Sequence, residues 1–224
     1  MKVLAFDCSG ASCAAAVLAD DRVAAQRFVA MDRGQAEALL PMIDAVLRDA
    51  GLTVAALDLL VATIGPGSFT GLRIGLAAAR GLALASGVAA LGITTFDAIP
   101  VPDGDLPTFI ALDSKRAELF LHRRDGDDPR LPALVPPAAW AAIVPVGPCR
   151  VAGDGAAALV AALGRGDVTP VPGSGRPDPV LLARLGIARW AAGDRTGLAP
   201  LYLRAPDTTA PHATAVPGAQ RAMP

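Results

Sequence analysis

An α/β fold of mixed sheets and crossover helices, arranged in two units, is what this chain predicts, and three observations point to it. Short apolar runs alternate with alanine-rich segments of helical spacing, the pattern of strands covered by helices. A glycine-rich turn at residues 65 to 75 joins one such run to one such helix. The stretch Val101-Pro102-Asp103-Gly104-Asp105-Leu106-Pro107 then interrupts the pattern before it restarts. Of the 224 residues 53% are hydrophobic but only 4% aromatic, so the core must be built from Ala, Val, Leu and Ile. Such a core favours close packing of helices on sheets, and the length suffices for two units that each bury one.

Lys2 to Asp7, Cys13 to Leu18 and Val23 to Val29 read as three strands separated by polar or glycine-containing turns. Gln35 to Ala50 follows with helical spacing, then a strand over 57 to 64, a helix over 71 to 86 and a strand over 88 to 93. This N-terminal unit spans 1–102. The C-terminal unit, 103–204, opens with strands over Thr108 to Leu112 and Glu118 to Arg124. A proline-opened helix over Pro136 to Ile143, a strand from Cys149 into a glycine turn, and helices over Ala156 to Leu163 and Val180 to Ala192 complete it. Residues 205–224 lack apolar periodicity and carry four prolines, the composition of a disordered tail.

The turn Gly65-Pro66-Gly67-Ser68-Phe69-Thr70-Gly71-Leu72-Arg73-Ile74-Gly75 departs from each well-known phosphate or nucleophile loop. A Walker loop needs Lys and Ser or Thr after its last glycine, where this chain has Leu72 and Arg73. A dinucleotide loop has one residue fewer between its second and third glycines, and a nucleophile elbow needs Gly-x-Ser-x-Gly. Ser68 or Thr70 can cap the helix that follows, whose free N–H groups suit an anion. Residue chemistry alone leaves a tight strand-to-helix turn and an anion site both open.

That turn resembles the hallmark of the bacterial TsaB (YeaZ) family. Leu4-Ala5-Phe6-Asp7-Cys8-Ser9, Glu37-Ala38-Leu39-Leu40-Pro41-Met42-Ile43, Asp113-Ser114-Lys115-Arg116-Ala117-Glu118-Leu119-Phe120 and Pro200-Leu201-Tyr202-Leu203-Arg204 agree with it in order and spacing. The resemblance spans residues 2 to 204 and is patchier between Asp125 and Asp178. It implies a two-domain actin-like/sugar-kinase (ASKHA) fold. It also implies a non-catalytic subunit, a pseudoenzyme, in threonylcarbamoyladenosine formation on tRNA. Its partners would be TsaD in a heterodimer and TsaE in a ternary complex. ATP and Mg would be used by those partners, with no cofactor bound tightly here, and tRNA would be met mainly through the complex.

In such folds an acidic turn after the first strand serves metal and phosphate. Asp7 and Ser9 stand there, and with Gly65, Gly67 and Ser68 they mark a vestigial nucleotide site. Asp7 equally fits a strand-end acid that caps a turn. The related catalytic subunit holds a metal through His-x-x-x-His, whereas Gln35 and Leu39 occupy the matching positions here. No metal site is therefore expected from His122 and His212, which have no third ligand. Ser9, Ser68, Ser114 and Cys8 have no base or cation at an interpretable spacing, so no catalytic residue is assigned. Asp113, Lys115 and Arg116 read most simply as an exposed charged turn. An independent actin-fold ATP-dependent phosphotransferase or hydrolase is the competing expectation.

A formal net charge of −1 argues against this chain alone gripping a phosphate backbone. The longest uncharged stretch, Gly81 to Phe96, is too short and too glycine-broken to span a membrane. An acid at position 7 argues against a secretory signal, so a cytoplasmic protein with free thiols at Cys8, Cys13 and Cys149 is expected.

Gly71, Gly75, Ala79 and Ala83 recur every four residues, a ridge of nearly bare backbone open to a neighbouring helix or to the chain's own sheet. Arg73 and Arg80 would rim such a contact. Helix 35 to 50 carries one stripe for the core in Ala36, Leu39, Leu40, Ile43, Val46, Leu47 and Ala50, and a second, smaller one in Ala38, Met42 and Ala45. Two helices with surplus apolar faces favour a partner, and the resemblance supplies TsaD or, through the same helices, a second copy of the chain.

Overall fold

The computed structural model describes residues 1–126 and 128–204; the expected tail and His212 lie outside the described residues. The first lobe begins with β1 (Lys2–Asp7), β2 (Ser12–Ala19) and β3 (Arg22–Ala30), followed by α1 (Gln35–Asp49), β4 (Leu59–Thr63), α2 (Phe69–Ser86) and β5 (Ala89–Ile93). The second contains β6 (Thr108–Asp113), β7 (Leu119–Arg123), β8 (Ala133–Val135), the short α3 (Trp140–Ile143), β9 (Cys149–Ala152), α4 (Ala156–Leu163) and β10 (Val168–Pro170). A last helix, α5, covers Pro179–Ala191.

The two sheets run β3-β2-β1-β4-β5 and β8-β7-β6-β9-β10. In each, the first three strands pair antiparallel and the last two join in parallel. The second lobe thus repeats the first strand for strand, and the fold is of the actin-like/sugar-kinase class. β8 and β10, three residues each, are the strands that periodicity did not reveal.

One face of the first sheet carries α1 and α2. Leu39, Met42, Ile43, Val46 and Leu47 of α1 and Ala79 of α2 pack there with Leu4, Phe6, Ala15 and Val17. Leu40, expected in the core stripe, is instead 55% exposed, because it lies away from the arc centred on Leu39 and Ile43. The opposite face is closed by α5, whose Leu182 and Ala183 pack on Val3, Ala5, Leu18 and Val61. α5 follows the second lobe in sequence yet packs on the first sheet, so the chain returns to its starting lobe.

The lobes share a core of their own. Phe96 and Ile99, beyond β5, cluster with Ile110, Leu112, Phe120 and Ala152 of the second sheet, and the Phe96 ring lies 5.1 Å from that of His122. Burial lowers the pKa of His122 and so favours the neutral ring within this packing. Arg124 reaches back from the second lobe and donates to the carbonyls of Ile99 (2.7 Å), Phe96 (3.1 Å) and Asp97 (3.4 Å). Removing that guanidinium leaves three half-buried carbonyls short of a donor. Arg124→Ala is expected to lower stability by about 2–3 kcal/mol, read as a fall in the urea midpoint at unchanged slope.

Candidate functional site

The glycine-rich turn lies at the C-terminal ends of β1 and β4, the edge where open α/β sheets usually gather ligands. Here it is shut against the chain itself. The Ser68 N–H donates to the Ser9 carbonyl at 2.6 Å, and the Cys8 thiol donates to the Gly71 carbonyl at 3.2 Å. A Cβ on Gly67 would collide with the Ser9 carbonyl oxygen, and one on Gly71 with that of Cys8. Glycine is needed there because the turn approaches the chain's own backbone so closely. Ser68 is the N-cap of α2; its side chain accepts from Gly71 N at 3.3 Å and its carbonyl from Leu72 N at 2.9 Å. Of the two open readings of the turn, the structure places its glycines in a tight strand-to-helix closure.

Asp7 is sealed beneath this contact. Its Oδ1 accepts from Ser9 Oγ and Thr63 Oγ1, each at 2.6 Å, and from Ser9 N at 3.1 Å, while Oδ2 is buried without a partner. Burial pushes its pKa above the ordinary value, against the lowering effect of those donors. Cys8 and Cys13 are likewise buried, and their thiols are pushed up, that of Cys13 to about 11, first by desolvation and then by Asp7. Both are thereby kept as inert thiols at neutral pH.

An open cleft of about 360 Å³ lies between the lobes. Ser9, Gly67, Ser68, Thr95, Asp32 and Gln35 line its first-lobe wall, and Asp113, Lys115 and Asp154 its second. The vestigial set is therefore split: Ser9, Gly67 and Ser68 reach the cleft, while Asp7 and Gly65 do not line it. Asp113 accepts from Lys115 Nζ at 3.0 Å and Lys115 N at 2.7 Å, and its own N–H donates to Asp154 Oδ1 at 2.8 Å. The Asp113–Lys115 charges thus satisfy each other, and the hydrogen bond that Lys115 donates to Asp113 raises the Lys115 pKa. Gln35 Nε2 donates to the carbonyls of Met31 and Gly10, and Leu39 is fully buried. Neither position is arranged as a metal ligand, and among the described residues no three His, Cys, Asp or Glu side chains gather to hold one.

The partner-binding set needs correction. Gly71, Gly75 and Ala79 face inward: Gly75 lies against Cys8 Sγ, at 3.3 Å from where a Cβ would sit, and Ala79 is fully buried. Met42 is in the core, while Ala38, Ala45 and Ala83 are half-buried, with Ala38 and Ala83 joining the same cluster between α1 and α2. The ridge packs on its own lobe because the β1–β2 turn fills the space that bare backbone leaves. The outward face of α2 is Phe69, Arg73, Ala77, Arg80, Gly81, Leu84 and Ala85.

Arg73 and Arg80 are exposed but already engaged. Arg80 donates to the Leu198 carbonyl at 2.7 Å, and Arg73 stacks over Phe69 (3.6 Å) while its Nε donates to the Tyr202 hydroxyl at 3.3 Å. They hold a C-terminal strap that sequence left without a role. Leu201 N donates to the Ile64 carbonyl at 2.7 Å, Gly92 N to that of Thr196 at 2.9 Å, and Arg204 binds Ser114 Oγ at 3.1 Å across the lobes. The signal was the Pro200-to-Arg204 stretch, a short apolar run closed by a single cation.

Two outcomes follow. Gly71→Ala should cost about 2–3 kcal/mol in urea unfolding, since the carbonyl it meets belongs to backbone that cannot yield as a side chain would. Asp7 has a raised folded pKa, so folding favours its protonated form, and stability present at acid pH is lost as pH rises through that pKa. Asp7→Asn should therefore flatten the pH dependence of stability measured between about pH 4 and 8; an unchanged slope would show that another group carries it.

With this geometry the comparisons agree. A family model described as TsaD, tRNA N6-adenosine threonylcarbamoyltransferase, matches residues 30–127. An uncharacterized protein of Mycobacterium tuberculosis, Rv3421c, is 36% identical over 211 residues, which cover 92% of each chain. The tRNA threonylcarbamoyladenosine biosynthesis protein TsaB of Escherichia coli is 31% identical over 124 residues, 54% of this chain and 53% of that protein. The structure of YeaZ from Pseudomonas aeruginosa superposes with a TM-score of 0.75 at 26% identity, covering 90% of this chain and 99% of that one. No helix among the described residues is long and apolar enough to cross a membrane. By its glycine-rich turn, its doubled sheet and these likenesses, the chain belongs to the TsaB (YeaZ) family, which is involved in threonylcarbamoyladenosine biosynthesis on tRNA.

Proposed function

We propose that this chain is a non-catalytic scaffold subunit that binds and activates TsaD. The reaction served is threonylcarbamoyl transfer to the anticodon-adjacent adenosine of tRNAs reading codons that begin with A. TsaE joins the assembly, ATP and Mg are used by the partner subunits, and tRNA is met through the complex. The closure of the Gly65–Gly75 turn on the carbonyls of Cys8 and Ser9 carries this reading. The turn packs directly on the backbone that follows β1, and the strand-end carboxylate is sealed below it. Welded lobes fit the same role, since a shared apolar cluster and the Arg124 bonds resist the hinge closure that phosphotransfer uses.

The docking face is assigned to the outward side of α2 with the neighbouring α1. Leu84 is 89% exposed, flanked by Gly81 and Ala85, and Leu40 is exposed on α1. A large apolar side chain among small ones invites a close-packed partner helix. Leu84→Asp should leave the fold intact and weaken the complex with TsaD of the same organism roughly tenfold or more. Light scattering of the mixture with ATP reads the complex, and a full-strength complex would place the docking face elsewhere. Nucleotide turnover by the chain alone, lost on Ser9→Ala, would favour an independent ATP-dependent enzyme instead.

A further inference from the structure

β3 is the outer strand of the first sheet, and none of its nine residues is buried. It carries no proline or lysine, and its one mid-strand charge, Arg27, is turned to Asp49 of α1 at 2.6 Å. Edge strands are ordinarily blunted by such residues or covered, because their unpaired backbone groups template another strand.

The direction of those groups follows from the register. Met31 N donates to the Ala11 carbonyl, which sets the alternation along the Ser12↔Ala30 to Val17↔Ala25 pairing. Ala25, Arg27 and Val29 therefore turn their N–H and C=O groups toward β2, and Gln26, Phe28 and Ala30 turn theirs to the open edge. Side chains alternate as well. Arg27 points to the face that carries α1, and Phe28, at 47% exposure, to the face on which α5 begins, where Arg176 lies 5.8 Å from its ring centroid.

On that second face the edge borders a groove of about 870 Å³, to which Phe28, Pro100, Pro177 and Pro179 give apolar walls. The charges that line it are matched with one exception. Arg27 has Asp49, Lys115 has Asp113 at 3.0 Å, Asp154 accepts from Asp113 N at 2.8 Å, and Asp178 caps α5 by accepting from Val180 N at 2.8 Å. Arg176 is exposed, lies beside the Phe28 ring and has no carboxylate partner among the described residues.

We propose that β3 and this groove take an extended peptide segment of another protein, added to the edge as a further strand. The segment carries an apolar side chain opposite Phe28 and a carboxylate two residues along for Arg176. Backbone pairing at Gln26, Phe28 and Ala30 supplies affinity, and the groove selects alternate side chains. The residue opposite Phe28 shares its face, with Cβ atoms about 5 Å apart, and so packs on the ring. Its neighbour two positions along lies about 7 Å further on the same face, within reach of the Arg176 guanidinium. A basic residue there would meet like charge, so the groove favours an acidic segment.

The test is fluorescence anisotropy of a fluorescein-labelled Thr-Val-Thr-Leu-Thr-Glu-Thr peptide titrated with the full chain. Saturable binding is expected between roughly 10 and 500 µM, since an interface of one strand pair is small and weak. Lysine in place of the glutamate should weaken it roughly fivefold or more, and Arg176→Glu should reverse that preference. N-methylation at valine, leucine and glutamate, whose N–H groups face β3 in this register, should abolish binding, while N-methylation at the threonines should not. Amide exchange gives a second readout. The Gln26, Phe28 and Ala30 amides should slow when peptide is added, while those of Ala25, Arg27 and Val29 stay slow throughout. No saturation, equal binding of the lysine peptide, or unchanged exchange at the three outward amides would overturn the proposal. So would slowing of those amides with protein concentration alone, which would put a second copy on the edge. The outward face of α2 lies on the other side of the sheet, so failure here leaves the docking face for TsaD as it stands.

Discussion

The contact between the Gly65–Gly71 turn and the Cys8–Ser9 backbone sets the geometry of the first lobe. It joins the end of β1 to the start of α2 with no side chain between them. Once the two backbones touch, Gly75 must lie over Cys8 and Ala79 over the sheet, because a helix carries every fourth residue to nearly the same face. The Ser9 hydroxyl is then held over Asp7, and Thr63 reaches the same oxygen from β4. The turn, the helix cap and the buried acid are therefore one construction. Its consequence for chemistry is electrostatic as well as steric. Around the start of α2, the Ser68 N–H is given to the Ser9 carbonyl and the Gly71 N–H to the Ser68 hydroxyl, where open N–H groups would attract anions.

The second constraint is the fastening of the lobes. Phe96 and Ile99 leave the first sheet and enter the apolar cluster of the second, Arg124 binds the chain between them, and Arg204 pins the returning strap. The strap runs beside both the Gly-rich turn and α2, touching Ile64, Arg73 and Arg80 on its way. A displacement of α2 by any docked protein would thus be felt at Leu198 to Arg204, and through Ser114 at the second lobe. The cleft walls are set by packing, which suits a body that presents a fixed shape to others.

Sequence made the repeating parts legible. β1 and α4 fall on the predicted bounds, and α2 begins at Phe69 because Ser68 is the cap. β8 and β10 were hidden because three residues cannot display an alternation, and they are the two edge strands of the second sheet. The return of α5 to the first sheet was hidden for a different reason: helical spacing reports which face is buried and is silent on what buries it. The small-residue ridge of α2 failed in the same way. Gly71, Gly75 and Ala79 were correctly read as a surface for close approach, but the neighbour is the Cys8 backbone instead of another helix. Asp7 and Ser9 stand out in the sequence by their place after β1, though that place does not reveal that Asp7 is buried beneath the turn, and the roles of Arg73 and Arg80 depend on a segment more than a hundred residues away.

Turning the ridge inward changes which part of α2 faces water. From Gly81 to Ser86 the helix carries no charge, and its outward positions are Gly81, Leu84 and Ala85. The part before Gly81 is different: Phe69, Arg73 and Arg80 are committed to stacking and to the strap. A surface helix ordinarily spends its outward positions on charged or polar residues, so the last turn and a half of α2 is apolar where solvation alone would not make it so. Leucine on a platform of glycine and alanine is also a shape, a single knob with shallow surroundings. Gly71, Gly75 and Ala79 close one helix face onto its own lobe, and Ala77, Gly81 and Ala85 leave, on the outward face, a surface that admits an equally close neighbour.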